Sequence, residues 1–349
     1  MGNITRRDFL DGVALSIGAG LVPDGLRAAG AGAPVYPPAL TGLRGQHDGS
    51  FEAAHTMAFE GKRYRVGGLR VEEEYDCIVV GAGISGLAAA HFYRERFGQD
   101  ARILVLDNHD EFGGHARRNE FMAGERLLIG YGGSEALQSP QANFSAVVNT
   151  LMQDLGVEPA RFRILFDQNL YPGLGLARAS FFDRERFGTD KLVIGDPTDW
   201  VADDIPRDRR NGRSIEAFIS DFPLGADARR QLLELYTSKR VDLARFPDDT
   251  AREDYLSGIS YTEFLRKDWG LSDDSIAYFD GRTRDFFGLP PQLLPALYCG
   301  LYAYPGFAGI EMPEDEEAAA ELAEPYIYHF PDGNASIARL LVRQLVPAA

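Results

Sequence analysis

Two short apolar segments flank a glycine-rich turn and a helical segment in the first third of the chain. The first, residues 75–80, is rich in β-branched residues and ends at Gly81. Gly98 is placed to end the helix that follows, in which apolar residues recur at the spacing of one helix face, at Leu87, Ala90, Tyr93 and Phe97. A second apolar run, Ile103–Leu106, stops at Asp107. The pattern predicts a βαβ unit.

The middle of the chain has a different character. Residues 137–325 combine helical stretches with many aromatic residues, which predicts an inserted, mostly α or α+β, substrate domain. The acidic run at 314–317 is typical of a solvated helix face. The apolar segment 326–330 predicts a strand that re-enters the first domain.

Composition and charge narrow the function classes. The chain has 349 residues, 45% of them hydrophobic, which fits an enzyme-sized globular protein. Its net charge of −16 repels phosphate backbones, so we expect no nucleic-acid partner, and a small cationic ligand is compatible with it. Two cysteines exclude a disulfide scaffold and a four-cysteine metal cluster. The sequence also contains no P-loop, no HExxH motif and no GxSxG motif.

The N-terminus, residues 1–31, predicts a secretory signal. Arg6 and Arg7 precede an apolar stretch at 12–22 and a small-residue run at 28–33. The apolar stretch is shorter than the ~20 residues that span a bilayer, so we expect no permanent membrane anchor. The arginine pair resembles the twin-arginine export motif of bacteria, which implies a periplasmic protein. Two ordinary arginines before a buried helix would be the other interpretation.

A glycine motif joins the two predicted strands. Gly81, Gly83 and Gly86 form GxGxxG, and Ser85 lies within the motif. These glycines allow a tight turn, close approach to a pyrophosphate, and helix–strand packing. Asp107 ends the second strand, where a carboxylate can accept hydrogen bonds from ribose hydroxyls, and Asn108 follows it. The context predicts dinucleotide binding, with the pyrophosphate over the helix N-terminus.

Further glycines follow the ribose acid. Gly113 and Gly114 precede His115, Arg117 and Arg118, and this second doublet resembles the flavin-containing amine oxidase superfamily. NAD-dependent dehydrogenases generally lack it. The resemblance implies that one of the two arginines contacts the diphosphate, and it does not decide which. A third glycine-rich stretch contains Gly132, Gly133 and Ser134. The resemblance implies that it runs near the flavin, and an ordinary loop is the other interpretation.

Segments outside these motifs narrow the resemblance. The runs at 36–45, 49–52 and 330–339, with the GGH variant at 113–115, resemble bacterial spermidine dehydrogenases and their exported relatives. The resemblance implies a FAD enzyme that oxidises a C–N bond of a polyamine such as spermidine and passes electrons to an acceptor, with haem b as a second cofactor. The family continues beyond residue 349. This implies a C-terminally truncated chain whose remaining half, encoded downstream, is a candidate partner.

The predicted fold class is α/β: a Rossmann-type FAD/NAD(P)-binding domain with an inserted α+β substrate domain. The predicted organisation is a signal peptide, an N-terminal arm, the FAD-binding domain, the substrate domain and a truncated return to the FAD domain, at 1–31, 32–70, 71–136, 137–325 and 326–349.

Two questions stay open at this stage. His47 and His55 flank the arm motif and are candidate haem ligands, or else exposed loop histidines. The same nucleotide motif would also serve a flavin desaturase or oxidase acting on another substrate, or a non-catalytic binding protein of this fold. The catalytic residues are not identified by any motif.

Overall fold

The computed structural model describes residues 50–240 and 245–347. The predicted signal peptide, residues 32–49 of the predicted arm, and His47 lie outside them. The chain divides into two compact units. One contains residues 50–134 and 331–347, and the other contains residues 135–330. Among the described helices, none has both the length and the apolar character needed to cross a bilayer.

The first unit is built on the predicted βαβ motif. Strands β1 and β2 pair in parallel, with Cys77 opposite Ile103, and Gly98 ends the intervening helix α2 with φ of 104°. The βαβ prediction and the α/β class are confirmed. The elements of this unit are α1 (Glu52–Ala58), β1 (Cys77–Val80), α2 (Ile84–Phe97), β2 (Ile103–Leu106), β3 (Arg117–Ala123), β4 (Arg126–Gly132) and, near the C-terminus, α16 (Ala335–Leu345).

Apolar packing joins the two ends of this unit in sequence. Helix α16 packs against α2, and its buried residues include Ile337 and Leu341, while α2 buries Leu87 and Ala90. Such an apolar stripe on each helix is the usual driving force for helix pairing. The C-terminal helix is therefore part of the unit that carries the glycine motif.

One face of the β1–β2 sheet is uncovered. Ile78, Val80 and Leu106 point to it and are 58%, 84% and 47% exposed. Parallel strands normally have apolar side chains on both faces because helices cover both. This face is therefore an apolar surface of the first unit.

The second unit is mostly helical with one antiparallel hairpin. Its elements, besides short 3-10 turns at Arg207–Arg209 and Ala277–Phe279, are α3 (Pro140–Asn143), α4 (Ala146–Asp154), α5 (Pro159–Leu165), α6 (Leu170–Gly173), β5 (Ala179–Phe182), α7 (Arg184–Phe187), β6 (Lys191–Ile194), α8 (Ile215–Ser220), α9 (Ala226–Thr237), α10 (Asp249–Gly258), α11 (Tyr261–Lys267), α12 (Asp273–Ile276), α13 (Arg284–Phe287), α14 (Ala296–Leu301) and α15 (Glu316–Ala323).

The core of the second unit is aromatic. The rings of Phe264 and Phe307 stack with centroids 4.5 Å apart. The indole of Trp269 is buried and donates to the carbonyl of Gly306 at 3.0 Å, which satisfies its one polar atom. Cys299 is buried in the same core, and burial raises the pKa of its thiol. Cys77 and Cys299 are both free.

The segment 326–330 differs from its prediction as a strand of the first domain. It belongs to the second unit, and its one ladder contact is an isolated antiparallel bridge between His329 and Ala136. Pro325 and Pro331 flank the segment, and proline supplies no backbone donor for a continuing ladder. The chain enters the first unit again at Pro331.

Candidate functional site

The first turn of the βαβ motif is held by its glycines. Gly81 has φ of 105° and donates to the carbonyl of Leu106 at 2.7 Å. A Cβ at Gly86 would lie 1.9 Å from the carbonyl oxygen of Gly81, so helix and strand pack too closely there for any side chain. Gly83 starts α2 without a side-chain cap, and the exposed Ser85 lies in the first turn. The first amides of α2 are thus open to an anion.

The second glycine doublet lies against the first motif. Gly113 donates to the carbonyl of Ala82 at 2.8 Å, and a Cβ at Gly114 would lie 3.0 Å from the Cα of Gly83. The two motifs, 30 residues apart in sequence, therefore form one glycine-lined surface. Backbone this bare can approach a diphosphate closely.

The carboxylate at the end of β2 organises this surface. Asp107 accepts from the amide of Ala82 at 2.6 Å through one oxygen and from the amide of His109 at 2.8 Å through the other. Asp107 is exposed, and each of its carboxylate oxygens can accept one more hydrogen bond. The neighbouring Asn108 donates to the carbonyl of Ser50 at 2.6 Å. Ribose binding by Asp107 stays a prediction, and this geometry is compatible with it.

The two candidate arginines have different surroundings. Arg118 forms ion pairs with Glu120 and with Asp332, the latter at 3.9 Å. Arg117 is only 6% exposed and lies 3.7 Å from Glu111. Both of its terminal nitrogens are buried without a hydrogen bond. A buried cation with unused donors fits an anionic group such as a diphosphate, so of the two arginines Arg117 is the better candidate.

The third glycine stretch is partly strand. Gly132 ends β4, so it belongs to regular structure rather than to a loop. A Cβ at Gly133 would lie 2.7 Å from the carbonyl oxygen of His115, which places this stretch beside the second doublet. Ser134 accepts from the side chain of Asn334 at 2.9 Å. The three predicted glycine segments are thus brought together in one unit, as a dinucleotide site requires.

Comparison with known proteins supports this reading of the first unit. The family model described as NAD(P)-binding Rossmann-like domain matches residues 79–151. The first unit carries a Rossmann-like fold. No curated protein matches the chain.

Solved structures give more distant similarities. The chain is 17% identical to putrescine oxidase bound to putrescine, with a TM-score of 0.34, over 78% of this chain and 49% of that one. It is 15% identical to cyclohexylamine oxidase from Brevibacterium oxydans IH-35A, with a TM-score of 0.36, over 79% and 50%. The chain therefore spans about half the length of these structures.

One of the two candidate haem ligands lies in the described part of the chain. His55 is exposed on α1, and its ring lies 4.8 Å from that of Phe51 and 5.1 Å from that of Phe59. His47 lies outside the described residues. Haem ligation by this pair stays a prediction.

The second unit contains a cavity of about 1430 Å³. Eight carboxylate residues and four arginines line it, together with aromatic side chains. Each of these four arginines, however, forms an ion pair with a carboxylate. Arg282 pairs with Asp196 at 3.2 Å, Arg186 with Asp280 at 2.8 Å, and the other two, Arg178 and Arg207, with Asp203 and Asp199.

Arg282 is held by several hydrogen bonds besides its ion pair. It donates to the hydroxyl of Tyr278 at 2.6 Å and to that of Thr198 at 3.0 Å. Burial would lower its pKa, but the neighbouring Tyr278, Tyr236 and Asp196 outweigh that effect and raise the pKa. Arg282 is thus a fixed, compensated charge in the cavity wall.

Carboxylates without an arginine remain. Glu321 and Glu324 are 6% and 5% exposed, and both line the cavity. Their hydrogen-bond donors are neutral: side chains for Glu321, and the backbone amides of Gln141 and Ala142 for Glu324. The cavity therefore carries net negative charge. The sequence reasoning missed Glu321, although its spacing of three from the buried Ala318 places it on the inward face of α15.

Backbone strain is concentrated at the same cavity. Among the described residues, the non-glycine residues with positive φ are Ser139, Ala202 and Ala303, at 40°, 52° and 59°. All three line the cavity. Such conformations cost about 1–2 kcal/mol each and cluster at functional sites. This supports the cavity as a ligand site.

Proposed function

We propose that this protein is a FAD-dependent oxidoreductase that oxidises a C–N bond of a cationic amine, with a polyamine such as spermidine as the substrate. The observation that carries the proposal is the charge of the cavity in the second unit. Its arginines are paired with carboxylates, whereas the buried Glu321 and Glu324 are not paired with a cation. Such a cavity favours a positively charged ligand over a neutral or anionic one.

The residues of the first unit fit FAD. The glycine-lined surface gives a diphosphate room, the first amides of α2 are open to it, and Arg117 has buried donors without partners. FAD, when bound, would supply a two-electron oxidation of the carbon next to nitrogen, and hydrolysis of the oxidised amine by water would give an aldehyde and an amine. An external acceptor must then take up the two electrons.

The residues of the second unit would bind and orient the amine. The carboxylates attract the ammonium, and the aromatic walls exclude water from the alkyl chain. The fixed Arg282 network keeps its side of the cavity rigid, so a flexible polyamine is bound in few conformations.

The remaining parts of the proposal concern the setting of the enzyme. Twin-arginine export would carry the folded flavoprotein to the periplasm. Haem b, with His47 and His55 as ligands, would be a second redox cofactor. The uncovered face at Ile78 and Val80 needs a polypeptide layer, and a half encoded downstream would supply it.

Amine-dependent reduction of an artificial acceptor tests the proposal. The purified protein, reconstituted with FAD, is given spermidine and an acceptor dye, and aldehyde formation is measured with it. Equal amounts of dye reduced and aldehyde formed support amine oxidation. Dye reduction with a neutral alcohol but not with spermidine would favour a flavin oxidase of another substrate. Reduction by neither, with FAD bound, would favour a binding protein.

A further inference from the structure

Glu321 is an unusual group in the cavity wall. It is 6% exposed, and its carboxylate accepts from the hydroxyl of Tyr302 at 2.8 Å, the amide of Asn143 at 3.0 Å and the amide of Gln138 at 3.3 Å. All three donors are neutral. No Lys, Arg or His of the described chain forms an ion pair with it. Burying a charged carboxylate without a cation costs free energy, and a bound cation would offset that cost.

The other buried carboxylate of the wall has a structural role. Glu324 accepts from the backbone amides of Gln141 and Ala142 at 3.1 Å and 3.3 Å, so it satisfies the start of α3. Asp203, further along the wall, is held by Arg178 and Arg210. Glu321 differs from both, because neither helix amides nor an arginine use its charge.

The tyrosine that donates to this carboxylate belongs to an aromatic cluster. Tyr302 packs against Phe286 with centroids 4.9 Å apart and against Phe287 at 5.2 Å, and both Tyr302 and Phe286 line the cavity. Burial raises the pKa of Tyr302, and its hydrogen bond to Glu321 raises it further, so the hydroxyl stays a donor. Ring faces attract cations, and a carboxylate beside them completes the chemistry that binds an ammonium.

We propose that Glu321, positioned by Tyr302 in a wall that Phe286 also lines, is the ammonium-binding carboxylate of the cavity. The inference rests on the proposed function, because it assigns a group to the amine that this function requires. A carboxylate offers about four acceptor positions, and three are used by its neutral donors, which leaves one for an N–H of the ligand. The three donors fix the direction of that position.

Glu321→Gln tests the assignment. Glutamine keeps the length of the side chain and its ability to accept from Tyr302, and it removes the charge. Glu316→Gln is the matched control, because Glu316 is exposed on the same helix and the substitution removes the same charge. Binding of spermidine to the FAD-loaded full chain is measured by calorimetry, and a diol of matched length serves as a neutral probe.

We expect the dissociation constant for spermidine to rise about 10–100-fold in Glu321→Gln, as for a lost charge-assisted hydrogen bond, and to stay unchanged in Glu316→Gln. Glu321→Asp should recover part of the affinity, which a merely structural role would not require. Diol binding should be the same in all forms. Equal spermidine affinity in wild type and Glu321→Gln would overturn the inference and leave the proposed function intact. Failure of the wild type to bind any amine would overturn both.

If Glu321→Gln does not fold, Tyr302→Phe replaces it. Phenylalanine keeps the ring and removes the hydroxyl that holds the carboxylate. We expect a smaller loss, about three- to tenfold, in spermidine affinity, from one neutral hydrogen bond. Unchanged affinity in a folded Tyr302→Phe together with unchanged affinity in Glu321→Asp would overturn the assignment.

Discussion

Gly86 is the position in the first unit at which adding one methyl group should destabilise the fold most. A Cβ there would lie 1.9 Å from the carbonyl oxygen of Gly81, 3.1 Å from its carbonyl carbon and 3.2 Å from a methyl of Val79. Ordinary contact begins at 3.4 Å, so α2 must move by about 1.5 Å away from β1. The obstacle is backbone, which cannot rotate away as a side chain would.

The magnitude follows from two opposing effects. Overpacking of this kind costs about 1–3 kcal/mol, and occasionally more. Replacing a helical glycine by alanine returns about 1 kcal/mol of helix propensity. Because the clash is severe, we expect a net loss of about 2 kcal/mol in the free energy of unfolding. This corresponds to a fall of roughly 8–16 °C in the melting temperature of the first unit.

Gly83→Ala is the matched control in the same turn. Gly83 has φ of −70°, which alanine adopts freely, and its Cβ would lie 3.8 Å from the Cα of Gly114. Its stability should therefore stay within about 0.5 kcal/mol of wild type. The added methyl nevertheless lies between the two glycine motifs, where the phosphates must approach, so FAD affinity should fall.

The assay separates stability from binding. Calorimetric unfolding of the cofactor-free protein gives the melting temperature, and quenching of flavin fluorescence gives the affinity. A Gly86→Ala protein that melts with the wild type would refute the close helix–strand packing. A Gly83→Ala protein that binds FAD as tightly as wild type would refute the placement of the phosphates.

Three further predictions concern charge, strain and pH. Arg117→Met should weaken FAD binding about 10–100-fold. Arg118→Met should weaken it less, because Arg118 is already paired with carboxylates. Equal losses of FAD affinity in the two variants, measured by fluorescence titration, would contradict the choice of Arg117. Ala303→Gly should raise the free energy of unfolding by roughly 0.5–1 kcal/mol, since φ of 59° is strained for alanine, and urea denaturation showing a loss would argue against that strain. Burial raises the pKa of Tyr236 and of Tyr261 well above 10.0, so above pH 10 the unfolded chain loses these protons before the folded chain does. The free energy of unfolding should therefore fall above pH 10 by about 1.4 kcal/mol per tyrosine per pH unit. A denaturation midpoint that stays constant between pH 10 and 11 would exclude this linkage.

The elements that the sequence predicted are those that depend on residues close to one another in the chain. Strand β1, the glycine turn and α2 follow from apolar spacing and from glycines whose neighbours are close in sequence, and Gly98 ends the helix by its own backbone freedom. The β3–β4 hairpin was not predicted, because the glycine-rich stretch that contains Gly130 and Gly132 was interpreted as a segment near the flavin or as an ordinary loop. In the structure they pair with Asn119 and Arg117, and that pairing compensates for the low strand propensity of glycine.

The cavity could not be predicted because its chemistry depends on distant pairs. Arg282 and Asp196 are 86 residues apart, and without their pairing an excess of unpaired carboxylate cannot be recognised. The acidic run at 314–317 is indeed exposed, yet Glu321, one turn further along α15, is buried. Helical phase distinguishes the two, but the partners Tyr302 and Asn143 come from elements that only the fold brings together.

The visible absorption spectrum of the purified protein, recorded before and after anaerobic addition of spermidine, tests the central claim most directly. We expect flavin bands in the untreated protein and their loss on addition of spermidine, because the amine would transfer two electrons to the bound cofactor. Haem bands in the same spectrum would bear on the second cofactor without affecting this result. A protein that shows full flavin bands which spermidine and other amines leave unchanged would contradict the proposed amine oxidation.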